Sequence, residues 1–179
     1  LKGFHYLLQA MPEILEQFPD AHVSVAGNSI TACGSLKEKL KISGYGKYLR
    51  DLIYKNGLED KVTVLGSLSD VQMRSHVFAC PSALENSPNS LGEAMLLGLP
   101  CVAARTGGIP DMAEDETSAL FFEKGDVHGL AGCIIRIFRN EELARELSEG
   151  ARDRALRNHD GNENYRRMME IYHEILGTV

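Results

Sequence analysis

The chain has 179 residues, 44% of them apolar and 25% charged, which suits one ordinary globular domain with its own core. Its 19 basic and 25 acidic residues give a net charge of −6, so nothing in the charge balance calls for nucleic acid. No apolar run approaches the roughly 20 residues of a spanning helix; no secretory signal is visible, although a chain that does not begin at Met could have lost one.

In chain order, Phe4, Leu7, Leu8, Met11, Ile14, Leu15 and Phe18 have the spacing of one helix face, from Lys2 to about Phe18. Pro12 falls inside it and cannot donate to the carbonyl of Leu8, which predicts a kink. His22 to Ala26 reads as a strand closed by Gly27-Asn28-Ser29, and the pattern from Ile30 to Gly46 is poor. Tyr48 to Asn56 reads as a helix stopped by Gly57, and Lys61 to Leu65 as a strand ending at Gly66. Ser69 to Gln72 has capping-box spacing.

A strand from His76 to Cys80 follows, then a loop, a helix, and a strand from Cys101 to Ala104. Gly107 and Gly108 allow a sharp turn or a close approach to a ligand, and a short helix is expected from Pro110 to Glu114. Ala119 to Phe122 is the last strand. Three helices close the chain, the first capped by Asp126, the second by Asn140, the third running from about Asn162 to Leu176 and stopping at Gly177. Strands alternate with helices throughout, so the fold class is α/β with a mostly parallel sheet. Cys33, Cys80, Cys101 and Cys133 form no Cys-x-x-Cys pair, and the last three lie in apolar runs, which reads as buried free thiols of a reducing compartment. The six histidines are scattered, and no metal site is expected.

The chemistry concentrates between Phe78 and Ala103. Ser87 suits an N-cap and Pro88 a first helical position, so the N–H groups of Asn89, Ser90 and Leu91 should be exposed at the helix start. Such a start suits a phosphate. Glu93 lies one and a half turns into the helix and could take a vicinal diol such as a ribose. Glu85, eight residues earlier in the loop, could face a group beyond the phosphates. The plain alternative is that both glutamates are solvated charges.

Glu85-x7-Glu93, followed by Ala94-Met95-Leu-Leu-Gly98-Leu-Pro100, resembles the Glu-x7-Glu signature of the GT4 (group 1) family of retaining glycosyltransferases. Lys2-Gly3, Val64-Leu-Gly66, Val77-Phe-Ala-Cys-Pro81-Ser82 and Gly107-Gly108-Ile-Pro-Asp111 resemble further family motifs in the same order. The resemblance implies the C-terminal, Rossmann-like three-layer half of a GT-B fold: one nucleotide-sugar-binding domain over residues 1–179, its last helices at about 126–177. It implies a nucleotide-diphosphate sugar as donor, no metal or other cofactor, and transfer with retention. Carried over by position, Lys2 and Glu85 would be catalytic, Lys2 at the diphosphate and Glu85 at the donor sugar. Glu93 would hold the ribose, and Ser87, Asn89, Ser90 and Leu91 sugar and phosphate oxygens. Gly66 and Leu68 would lie by the base, with Gly27 in the family's Gly-x-Gly position.

Three parts of the family pattern are not in this sequence: the strand and Arg ahead of Lys2, the second glycine of the Gly-x-Gly, where Ser29 stands, and the N-terminal acceptor domain. The sheet should therefore lack its first, central strand, and the chain alone should transfer little or nothing. The helix bearing Tyr165, Met168, Tyr172 and Ile175, which in the family packs on the other domain, should expose apolar surface and offer a homodimer contact. The expected location is cytoplasmic, with membrane association of the full-length enzyme left open. Rival readings are a nucleotide-sugar epimerase of the same architecture and a non-catalytic nucleotide-binding domain. A dinucleotide dehydrogenase is disfavoured because no Gly-x-Gly-x-x-Gly follows any strand.

Overall fold

The structure is a computed structural model that describes residues 2–27, 44–66 and 75–177. Asn28, Ser29, Cys33, most of the poorly patterned Ile30 to Gly46 stretch, Leu68 and the Ser69 to Gln72 capping box lie outside the described residues.

Helix α1 (Phe4–Gln17) buries Leu8, Ala10, Met11 and Ile14 along one face and runs unbroken through Pro12. The carbonyl of Leu8, which Pro12 cannot serve, accepts instead from Asn56 Nδ2 at 3.3 Å. Strand β1 (Val23–Ala26) pairs in parallel with β2 (Val62–Gly66) in the register Val23 to Val62 and Val25 to Val64, and shifts at Ala26, which faces Gly66. Between them α2 (Gly44–Lys55) buries Leu49 and Ile53. It begins four residues earlier than its apolar pattern suggests, because Gly44 and Gly46 are taken into its first turn.

Strand β3 (Phe78–Cys80), helix α3 (Asn89–Leu96), strand β4 (Cys101–Ala104), the single turn α4 (Ile109–Met112) and strand β5 (Leu120–Phe122) form a second parallel sheet in the order β3-β4-β5. All four residues of β4 are buried. Val102 and Ala104 join one core cluster with Leu8 and Ile14 of α1 and with Leu130 and Ile134 of α5 (Val127–Arg139). Cys101 and Ala103 join the other, with Leu91 and Met95 of α3 and with Ala151 and Ala155 of α6 (Glu141–Asn158). Alternate residues of one strand thus serve opposite faces, which makes three layers: α1 and α5, the sheet, α3 and α6.

Asp126 and Asn140 cap α5 and α6 as expected, accepting from Gly129 N at 2.9 Å and Leu143 N at 3.1 Å. Asp160 caps α7 (Gly161–Leu176), which ends at Gly177 with φ of 63°. The α7 helix buries no residue and presents Tyr165, Met168, Tyr172 and Ile175 to solvent, so the expected apolar exposure is there. Cys80, Cys101 and Cys133 are buried free thiols. No helix among the described residues is long and apolar enough to cross a membrane.

Among the described residues the strands form two sheets, β1-β2 and β3-β4-β5. In Rossmann order the first strand lies between the strand of β1 and that of β3, which is where the break falls. The halves are joined through packing: Val23 of β1 and Val102 of β4 belong to the same cluster as the buried face of α1.

Candidate functional site

Parallel strands present their carboxyl ends to one edge, and the loops leaving β3 and β4 meet there. The loop from Pro81 to Pro88 is held from two sides by glycines. Gly3, at φ of 70°, lies so close to Pro81 that a Cβ would overlap its carbonyl. Gly107, at φ of 55°, and Gly108 lie as close to the carbonyls of Glu85 and Asn86. The glycines after β4 therefore serve a close approach of backbone to backbone. They press the β4 loop against the residue whose side chain matters most.

That side chain is the Glu85 carboxylate. Its Oε1 accepts from Lys2 Nζ at 2.5 Å and from Ser82 Oγ at 2.9 Å. Ser82 is 1% exposed, and its oxygen in turn accepts from Cys80 Sγ at 3.9 Å. Lys2 and Glu85 differ sharply in exposure, with side chains 76% and 10% exposed. Burial pushes the Glu85 carboxyl up, but the hydrogen bonds from Lys2 and Ser82, with the Lys2 charge, outweigh it and hold the group below the usual carboxylate range. Burial pushes the Cys80 thiol up against the smaller opposing effect of its bond to Ser82, so it stays protonated at neutral pH. Oε2 of Glu85 has no protein partner among the described residues.

Helix α3 starts one residue later than its sequence suggests. Pro88 takes the N-cap position without a side-chain cap, because Ser87 Oγ points instead to Met112 Sδ at 3.4 Å. The expected Ser87 cap and Pro88 first-turn placement are thus corrected. Leu91 is also corrected as an exposed donor: its N–H bonds the Pro88 carbonyl at 3.0 Å and its side chain is fully buried. Asn89 and Ser90 remain, exposed, with N–H groups that have no acceptor within the helix. Leu91, Ala94 and Met95 form the buried face, while Asn89 and Glu93, four residues apart, share the exposed one.

Gly27 and Gly66 stand at the ends of β1 and β2, joined by a hydrogen bond from Gly27 N to Gly66 O of 2.7 Å. Both have positive φ, 131° and 75°, and among the described residues nothing lies within 4 Å of where a Cβ would stand. The structure thus brings Lys2 to Glu85, sets Glu93 on the face of the open helix start, and turns Ser87 away. Ser82 is the functional partner that sequence reasoning passed over, although its place three residues before Glu85 was a visible signal.

The model of the family described as glycosyl transferases group 1 matches residues 1–154. N-acetyl-alpha-D-glucosaminyl L-malate synthase of Bacillus anthracis is 26% identical over 98% of this chain and 43% of its own length. D-inositol 3-phosphate glycosyltransferase of Saccharomonospora viridis is 32% identical over 73% of this chain and 31% of its own. The structure of HepE from Anabaena in complex with UDP superposes with a TM-score of 0.80 at 24% identity, covering 97% of this chain and 45% of that one. The chain therefore spans less than half the length of these relatives.

Proposed function

Because the chain belongs to the group 1 glycosyl transferases, we propose that it is the donor-binding domain of a glycosyltransferase that uses a nucleotide-diphosphate sugar and retains the anomeric configuration. The observation that carries this reading is the Glu85 carboxylate, held by Lys2 and Ser82 in the loop that leads into the uncapped start of α3. A cation, a set of free N–H groups and a buried carboxylate are three different recognition elements. A diphosphate attached to a sugar is the chemistry that would use all of them.

In this reading the N–H groups of Asn89 and Ser90, at the positive end of α3, take phosphate oxygens. Lys2 neutralises the diphosphate as it leaves, which is electrostatic stabilisation of developing charge and needs no metal. Glu85 accepts from hydroxyls of the transferred sugar, and Glu93 accepts from both ribose hydroxyls. Ser87 lies beside the phosphates once turned from Met112. Gly27 and Gly66 border the base. Transfer itself requires an acceptor held opposite the donor, and residues 1–179 supply the donor side. The epimerase and binding-module readings have no comparable support from the matched family.

The test is calorimetric titration of UDP, GDP and ADP and their glucose esters into the chain and into Glu93→Ala. One nucleotide series should bind, and the substitution should weaken it about tenfold, the scale of losing hydrogen bonds to a charged group. Equal affinity in both proteins contradicts the ribose assignment.

A further inference from the structure

Among the described residues, Glu85 has two hydrogen-bonding partners on one oxygen, and they are unlike in every physical respect. Lys2 is a long, flexible ammonium with three quarters of its side chain in solvent, 76% exposed, at the first described residue ahead of α1. Ser82 is short, 1% exposed, and fixed by the turn that leaves β3. Its hydroxyl has one hydrogen to give. The buried Cys80 thiol donates into the Ser82 oxygen at 3.9 Å, which orients the hydroxyl so that its own hydrogen goes to Glu85 Oε1 at 2.9 Å. The order of donors is thus set from inside the fold: Cys80 S–H to Ser82, Ser82 O–H to Glu85.

A diphosphate entering at the start of α3 competes for Lys2, because it carries more negative charge than one carboxylate. It cannot compete for Ser82, which solvent does not reach. We propose that Ser82 is the positioning residue of this site: it keeps the Glu85 carboxylate aimed when Lys2 transfers from Glu85 to the donor diphosphate, leaving Oε2 to select the sugar. This rests on the donor-site reading above. It adds a division of labour, in which Lys2 answers for the diphosphate and Ser82, through Glu85, for the sugar.

The test uses two readouts on the chain, Ser82→Ala and Lys2→Met. The first needs no ligand: the Glu85 side-chain carboxyl is titrated by carbon-detected NMR. It should titrate below an ordinary glutamate in the parent and move upward in both variants. An unmoved Glu85 in Ser82→Ala overturns the proposal whether or not any nucleotide binds. The second compares each nucleoside diphosphate (UDP, GDP, ADP) with its glucose ester. In Ser82→Ala the affinity for the diphosphate should stay within about twofold, while the ratio of ester to diphosphate affinity falls about tenfold. In Lys2→Met both affinities should fall together and the ratio hold. An unchanged ratio in Ser82→Ala, or a changed one in Lys2→Met, overturns the division of labour. Absence of binding by every probe to the parent chain refutes the donor-site reading itself, and the positioning role with it.

Discussion

Glu85 is a carboxylate that the fold keeps charged. Its folded-state titration lies below the ordinary glutamate range, so its contribution to stability is fully present above the unfolded-state value, about 4.3. That contribution disappears as the pH falls through the lower folded-state value. Thermal melts of the parent and of Glu85→Gln should therefore converge as the pH is lowered from 6 toward 3, with the parent losing its advantage. Parallel curves contradict the ion-pair account. The two acids were legible because their spacing is written in the chain. Ser82 was legible only as part of a motif, since its burial and its bond to Glu85 depend on how the loop after β3 closes. The contact of Gly107 with the Glu85 backbone joins residues far apart in sequence, and no local pattern encodes it.

At the scale of elements, strand and helix order followed from alternating patterns, and the caps at Asp126 and Asn140 from their side chains. Helix starts were less legible. α2 absorbs two glycines because burial of Leu49 and Ile53 outweighs their poor propensity. α3 leaves Ser87 outside because its hydroxyl has a partner in Met112. Pro12 shows how tertiary contacts override a local rule: the orphaned Leu8 carbonyl is taken by Asn56 at the end of α2. Asn56→Ala should remove that partner and cost about 1–3 kcal/mol, measured by urea unfolding of the variant against the parent. No loss of stability means that water serves the carbonyl equally well.

At the scale of the fold, the sheet among the described residues is divided between β1 and β3, and what unites the halves is the buried face of α1 and the cluster it shares with β1, β4 and α5. The division was expected from the order of a Rossmann sheet; the way α1 bridges it was not. The site inherits this arrangement. Lys2 reaches Glu85 only because Gly3 seats the start of α1 on Pro81, and α3 brings its open start from the other layer. In the proposed donor site these parts bind one ligand together. The most direct measurement is a crystal structure of the chain with whichever of UDP-, GDP- or ADP-glucose binds most tightly. That structure should show the diphosphate at the N–H groups of Asn89 and Ser90, the ribose on Glu93, and Lys2 moved from Glu85 to a phosphate oxygen. A nucleotide bound elsewhere, or Lys2 still on Glu85 with the diphosphate in place, contradicts it.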